Sequence, residues 1–220
     1  MATPQTTTPP AEAPDHPDEL GQASALVDQY WKPFTAAACV VAVVGFGLVS
    51  RRVHKQGQAR DAATELGQAE SAQHLQDVLD TYPTAPTVPS ALIRLAKEYY
   101  DTLNFAKADE AYTRFLEEHP GHLWAPTASL GLVHCKEARA SYETALSEYQ
   151  LFIAAHQDHF LYAQAVLGQV RCNEQLGRLA EAKALCEDFI TARPEDAWTP
   201  VFESSLNDLD MELKRAQGAL

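Results

Sequence analysis

The sequence predicts an all-α protein in which an N-terminal transmembrane helix precedes a solenoid of helical hairpins. The first observation is the run PFTAAACVVAVVGFGLVS at 33–50, which has no charged residue and is long enough as a helix to cross a bilayer. The second is a repeat, because small and apolar residues recur every 37 positions from residue 71 onward. Together they indicate a membrane-anchored, all-helical chain.

Composition limits the classes of function. The chain has 220 residues, of which 46% are hydrophobic, and its 17 Lys and Arg against 30 Asp and Glu give a formal net charge of −13. This length suits one folded domain with accessory segments. Nucleic acid is excluded as an expected partner, because phosphate binding needs a basic surface. Ten glycines and four cysteines also exclude collagen-like and disulfide-dense classes.

Residues 1–29 are predicted to form a disordered, acidic, proline-rich tail. They hold five prolines and five carboxylates but few large apolar side chains. Burial therefore cannot offset the entropy lost on ordering this segment. We interpret the tail as a tether.

Residues 30–50 are predicted to form the transmembrane helix, with 33–50 in contact with lipid. Tyr30 and Trp31 lie at one end, where amphipathic rings favour the headgroup zone, and Arg51 closes the other end. A buried core helix is disfavoured because the run is apolar all round. A cleavable signal peptide is the other alternative, but the acidic leader does not suit it.

The orientation of this helix depends on its flanks. Only Lys32 lies near the span on the N-terminal side, whereas four cations follow the span. By the positive-inside rule this distribution favours a cytoplasmic C-terminal domain. The four cations are Arg51, Arg52, Lys55 and Arg60.

The 37-residue period divides the rest of the chain. We expect a juxtamembrane helix with a half-repeat at 51–83, three repeats at 84–120, 121–157 and 158–194, and a capping helix at 195–220. The recurring positions of the second helices are Ala108, Ala145 and Ala182; Tyr112, Tyr149 and Cys186; and Phe115, Phe152 and Phe189. Proline closes most of them, at Pro83, Pro120 and Pro194, with Gln157 in the remaining repeat.

Spacing explains why each segment is a helix or a turn. Positions 108, 112, 115 and 116 lie on one stripe of a helix. Turns are expected at 103–105, 140–142 and 177–179, between the two helices of each repeat. In the last segment Trp198, Phe202, Leu206, Leu209 and Leu213 recur at helical spacing with acidic residues between them. The last helix of a solenoid needs one apolar face against the core and one polar face towards solvent.

The segment SALIRLAKEYYDTLNFAKADEAYTRFLEEHP (90–120) resembles the tetratricopeptide repeat (TPR). The matching positions are Leu95-Ala96, Tyr99, Asn104-Phe105, Ala108, Tyr112, Leu116 and Pro120. The 164–194 segment is similar in its second helix. The 37-residue repeat of this chain is longer than the usual TPR unit and is similar to the repeats of the Tol-Pal-associated coordinator type. A membrane span ahead of such repeats resembles the ancillary subunit of the Sec translocon.

The resemblance implies a TPR-like right-handed α-solenoid that acts as a protein-binding scaffold rather than as an enzyme. It also implies an inner-membrane, single-pass protein of the bacterial cell envelope whose partners are extended segments or envelope and secretory proteins. On this basis we favour a periplasmic repeat domain over the cytoplasmic side that the basic flank favours. A cytoplasm-facing adaptor and a self-associating spacer, or homo-oligomer, remain the alternatives.

The resemblance also places a candidate binding surface on the concave face formed by the first helices. Lys97, His134 and Arg171 then share one column, and we hypothesise that this basic ladder binds an acidic side chain or a C-terminal carboxylate. A solvated face without a ligand is the alternative. The neighbouring candidate positions are Ile93, Leu130, Leu167 and Tyr100.

Two histidine pairs have a spacing found in metal sites, His119-x-x-His122 and His156-x-x-His159. The pairs are 37 residues apart, so inherited repeat sequence explains them, and no metal or other cofactor is expected. The sequence also lacks a nucleophile elbow, a phosphate-binding loop and an acid-base pair. We therefore expect no catalytic residue.

Three of the four cysteines fall in the repeats. Cys135 and Cys172 occupy one column of neighbouring repeats, and stacking places them about 8–10 Å apart, too far for a disulfide. Cys172 and Cys186 could meet across one hairpin. The favoured interpretation is that they are small buried residues.

Overall fold

The structure, a computed structural model, describes residues 19–218. Within this range the chain forms nine α-helices and no strand, which confirms the all-α prediction. The helices are α1 Glu19–Gln68, α2 Ala72–Thr81, α3 Val88–Asp101, α4 Phe105–Glu118, α5 Ala125–Ala138, α6 Tyr142–Ala155, α7 Tyr162–Gln175, α8 Leu179–Ala192 and α9 Thr199–Gly218. Hairpins α3–α4, α5–α6 and α7–α8 start 37 residues apart.

The chain divides into two units, 1–56 and 57–220. In the first unit, helix α1 begins at Glu19, eleven residues before the start predicted for the transmembrane helix. The stretch ELGQASALVDQ after the last proline of the tail contains several good helix formers and no proline. The part of the predicted tail at 1–18 lies outside the described residues.

By length and composition, one helix in the described part of the chain is able to cross a membrane. This stretch of α1 is Ala37–Gln68, and none of its most apolar part is buried. Val41, Val43 and Phe46 are 71%, 72% and 76% exposed. The helix thus presents apolar side chains that no described part of the protein covers.

In the second unit, each hairpin turns at a residue with positive φ, at the positions that the repeat predicts. These residues are Leu103 (60°), Ala140 (59°) and Gly177 (72°). In the first turn, the Leu103 N–H donates to the Tyr100 carbonyl and the Asn104 N–H to the Tyr99 carbonyl. This is the Schellman pattern, which satisfies the last carbonyls of a helix.

The core lies between successive helices, on the columns that the sequence predicts. Ala108, Ala145 and Ala182 are 0% exposed, which allows the two helices of a hairpin to approach closely. Two glycines bring the next hairpin against a tyrosine. A Cβ at Gly131 would lie 2.5 Å from the Tyr112 ring, and one at Gly168 would lie 2.4 Å from the Tyr149 ring.

Helix α9 begins 37 residues after α7 and so occupies the first-helix position of a further repeat. Its start at Thr199 replaces the predicted 195, because Asp196 caps the preceding turn by accepting the Trp198 N–H at 2.9 Å. Phe202 stacks on Phe189, with ring centroids 3.9 Å apart. The apolar side of α9 therefore closes the core.

The outer side of α9 is polar. In α7, Val166 and Val170 are buried in the core cluster that α7 forms with α8 and α9. The equivalent positions of α9 are Glu203 and Asn207, and both side chains are exposed. Helix α9 thus has the two faces of a terminal cap.

Candidate functional site

The first helices α3, α5 and α7 form one surface, which we call the first-helix surface. It contains a cavity of about 390 Å³. Five of the seven residues that the sequence predicts for partner binding line this cavity: Lys97, Tyr100, Leu130, His134 and Arg171. The structure therefore brings side chains from three consecutive repeats together around one opening.

The other two predicted residues lie elsewhere. Ile93 and Leu167 are partly buried and pack against two different core clusters. Conversely, the cavity is also lined by six residues outside the predicted set: Asp101, Tyr112, Thr127, Gly131, Leu161 and Gln164. The recurrence of Gly131 with Gly168, beside the tyrosine column, was a signal that could have pointed to this close approach.

A polar network joins the second and third repeats at the edge of the cavity. Arg171 donates to Glu137 through Nε at 2.6 Å and through Nη2 at 2.8 Å. The Tyr149 hydroxyl also donates to this carboxylate, and it contacts Nδ1 of His134 at 2.6 Å. Three helices, α5, α6 and α7, are thus linked through one carboxylate.

The network determines the protonation of Glu137. Burial alone raises the pKa of this carboxyl group, but hydrogen bonds from Arg171, His134 and Tyr149 outweigh it and lower the pKa to about 2. Burial and the neighbouring Glu137 charge raise the pKa of the Tyr149 hydroxyl. At neutral pH the network therefore holds an anionic Glu137, a cationic Arg171 and a neutral Tyr149.

The predicted basic ladder is therefore not a row of uncompensated cations. Glu137 neutralises Arg171, and Lys97 forms an ion pair with Asp101 one helical turn away. Across α3, α5 and α7, four Lys or Arg balance four Asp or Glu. Helices α2, α4, α6 and α8 together contain three basic and eleven acidic residues. The negative charge of the repeats lies on the second helices.

Tyr112 differs from its repeat equivalent Tyr149. Its side chain is 8% exposed and it lines the cavity, yet its hydroxyl makes no hydrogen bond to any described residue. Burial raises the pKa of this hydroxyl to about 12, so it is a neutral donor. The positions that bind Tyr149 in the second repeat, His134 and Glu137, are Lys97 and Tyr100 in the first repeat.

The second histidine of each pair has a structural role in the loops between repeats. Nδ1 of His122 accepts the Trp124 N–H at 3.2 Å, and Nδ1 of His159 accepts the Leu161 N–H at the same distance. Asp196 does the same in the next loop. Residues 37–216 contain no group of three or more side chains able to hold a metal ion.

All four cysteines lie within the described range, and none of them forms a disulfide. Cys135, Cys172 and Cys186 are 0% exposed. Burial raises their thiol pKa values to about 11, 12 and 11, so at neutral pH these groups are protonated. They serve as small apolar side chains in the core.

Comparison with known proteins agrees with this architecture. A family model described as a tetratricopeptide repeat matches residues 90–122. Comparison with curated proteins gives no significant match. A tetratricopeptide repeat protein from Parabacteroides merdae has a similar structure, with a TM-score of 0.52 and 13% identity over 72% of this chain and 60% of that one.

A second similar structure is a Podosopora anserina protein with nearly identical TPR-like repeats. Its TM-score is 0.56, with 14% identity over 74% of this chain and 88% of that one. The present chain thus spans about 60% of the length of the Parabacteroides protein. At these identities the likeness concerns the fold. The succession of hairpins and the similar structures give this chain a TPR-like fold, and residues 90–122 match a tetratricopeptide repeat.

Proposed function

We propose that the protein is a docking scaffold that binds an extended segment of a partner protein on its first-helix surface. The observation that carries the proposal is the 390 Å³ cavity, to which three consecutive repeats contribute. A solenoid presents a broad surface made from many helices, and its chemistry is binding rather than turnover. The charge balance of this surface, beside strongly acidic second helices, supports it as the docking face.

We further propose that α1 anchors the scaffold in a membrane. Its exposed valines and Phe46 are the side chains that lipid would cover. By resemblance, the membrane is the inner membrane of a bacterial envelope and the partners are the secretion machinery or its clients. The repeats would then lie in the periplasm, and the self-associating spacer remains the structural alternative.

Photocrosslinking tests the docking surface in the source cells. A benzophenone amino acid at Gln164, in the cavity, should form adducts of defined mass with a partner protein. The matched control is Leu151, which is 70% exposed on second helix α6. Equal adducts at both positions, or none at Gln164, would contradict docking in the cavity. Adducts of twice the chain mass would favour the spacer.

The basic flank makes a cytoplasm-facing adaptor the specific alternative. Arg51, Arg52, Lys55 and Arg60 are all exposed on α1. A fusion after Leu220 separates the two orientations, because alkaline phosphatase is active only in the periplasm. Green fluorescent protein at the same point is the converse reporter.

A further inference from the structure

The cavity on the first-helix surface holds no excess charge to bind an ionic ligand. Arg171 is held by Glu137 through two hydrogen bonds. Lys97 is paired with Asp101, and both side chains are more than half exposed to water. A partner carboxylate would therefore have to compete with an existing carboxylate at either cation. The cavity favours a neutral group.

The inner wall of the cavity is apolar. Leu130 and Leu161 are 2% and 8% exposed, and Tyr100 contributes its ring. Gly131 contributes no side chain, so the Tyr112 ring lies directly against the α5 backbone. The cavity volume falls in the range of about 300–1,000 Å³ that is typical of ligand pockets. A bulky aliphatic or aromatic side chain suits such a wall.

One polar group is left for a ligand to satisfy. The Tyr112 side chain is more than nine-tenths buried, lines the cavity and has a hydroxyl without a hydrogen-bond partner among the described residues. The equivalent hydroxyl of Tyr149 has two partners. The Tyr112 hydroxyl oxygen itself is accessible from the cavity rather than buried, so a ligand in the cavity can reach it. Because the Tyr112 hydroxyl is neutral, it can donate a hydrogen bond to the carbonyl oxygen of a peptide.

We infer that the cavity binds one uncharged, bulky apolar side chain, of the Leu or Phe class, from an extended partner segment whose backbone carbonyl accepts a hydrogen bond from Tyr112. This inference rests on the proposed docking function and specifies its ligand. It replaces the carboxylate that the basic ladder suggested. The partner is recognised by an apolar anchor residue and by its backbone, and its net charge is secondary.

The test uses the full chain in lipid nanodiscs and a phage library of random linear twelve-residue peptides. Selected peptides are synthesised with amidated C-termini and their affinities are measured at low and high salt. Tyr112→Phe removes the hydroxyl and leaves the ring, so the fold is retained. Lys97→Gln tests the competing basic ladder, because it removes a cation at the cavity mouth. Thermal unfolding verifies that both variants fold.

We expect the selected peptides to share one Leu, Phe, Met or Trp position. Replacing that residue with Ala should weaken binding about 30-fold or more, as for loss of a buried anchor. Tyr112→Phe should weaken it about 3- to 10-fold, as for loss of one neutral hydrogen bond. Lys97→Gln and high salt should change affinity less than about threefold.

Two other results overturn the inference in distinguishable ways. Peptides that share Asp or Glu, with affinity lost in Lys97→Gln and at high salt, would restore the basic ladder and leave the docking function intact. Failure to select any peptide that binds, together with no crosslink at Gln164, would remove the docking function and the inference with it.

Discussion

Arg171 of the third repeat holds Glu137 of the second through two hydrogen bonds of 2.6 and 2.8 Å. The Glu137 side chain is 15% exposed and that of Arg171 is 39% exposed, so the pair is partly desolvated. The hydroxyl of Tyr149 donates to the same carboxylate. Neighbouring hairpins are thereby fixed in register by side chains as well as by the apolar core.

Glu137→Gln should destabilise the repeats, because it leaves Arg171 without its counter-charge in a partly buried site. Loss of one partner from a fully buried pair costs about 3–5 kcal/mol, and partial exposure reduces this to about 2 kcal/mol. The unfolding temperature should fall by about 4–8 °C. Asp101→Asn, which breaks an exposed pair, is the control and should change it by less than about 2 °C. Equal shifts in both variants would contradict a special role for Glu137.

Acid should weaken the same network. The pKa of Glu137 is lowered from its usual value of 4.5 to about 2 in the folded protein. Its contribution is therefore fully present above pH 4.5 and is lost as the pH falls from 4.5 towards 2. The loss amounts to roughly 3 kcal/mol when complete. Urea unfolding at pH 7, 4.5 and 3 should show this dependence in the wild type, and Glu137→Gln should flatten it.

The hairpin turns predict that two substitutions change the stability of the protein in opposite directions. Ala140 has a φ of 59°, which costs a residue with a Cβ about 1 kcal/mol, whereas the equivalent Gly177 has a φ of 72° at no such cost. Ala140→Gly should stabilise the protein by about 0.5–1 kcal/mol, and Gly177→Ala should destabilise it by about 1 kcal/mol. Denaturant midpoints measure both. Destabilisation by both substitutions would contradict the assigned turn conformation.

The contacts of three glycines predict how much each Gly→Ala substitution changes the stability of the protein. A Cβ at Gly168 would overlap the Tyr149 ring, whose hydroxyl is tied to Glu137, so Gly168→Ala should cost about 2 kcal/mol. Gly131→Ala should cost less, about 1 kcal/mol, because the Tyr112 hydroxyl has no described partner and its ring can shift. Gly57→Ala, with nothing within 4 Å, is the control and should stabilise α1 slightly. Thermal unfolding of the three variants gives the order directly.

The orientation of the anchor gives a prediction of a different kind. With alkaline phosphatase fused after Leu220, we expect active enzyme, as the proposed periplasmic domain requires. Fluorescence from the green fluorescent protein fusion without phosphatase activity would instead assign the repeats to the cytoplasm. Replacing Arg51 and Arg52 with Gln should alter the ratio of the two signals if the basic flank determines topology.

The periodic part of the fold could be predicted from the sequence because each recurring column has a local physical cause. Small residues at 108, 145 and 182 and positive φ at 103, 140 and 177 follow from helix packing and helix termination. The start of α1 could not be predicted in this way, since prolines at 1–17 made the acidic segment after them resemble the tail.

The candidate site was less accessible to sequence reasoning. The column of Lys97, His134 and Arg171 suggested a basic surface, but its charge depends on Glu137, 34 residues before Arg171. Whether two such side chains meet depends on the angle between repeats and on their rotamers, which no residue pattern encodes. The contrast between Tyr112 and Tyr149 has the same origin, because it arises from what their neighbours contact.

The polar outer side of α9 limits what this molecule can assemble into. A bare first helix would invite a second helix from another molecule, and copies could then join end to end into a fibre. Packing such a helix would remove water from Glu203 and Asn207 without supplying hydrogen bonds in return. A further helix packed on this side of α9 would therefore bury polar groups at the positions where α7 buries Val166 and Val170.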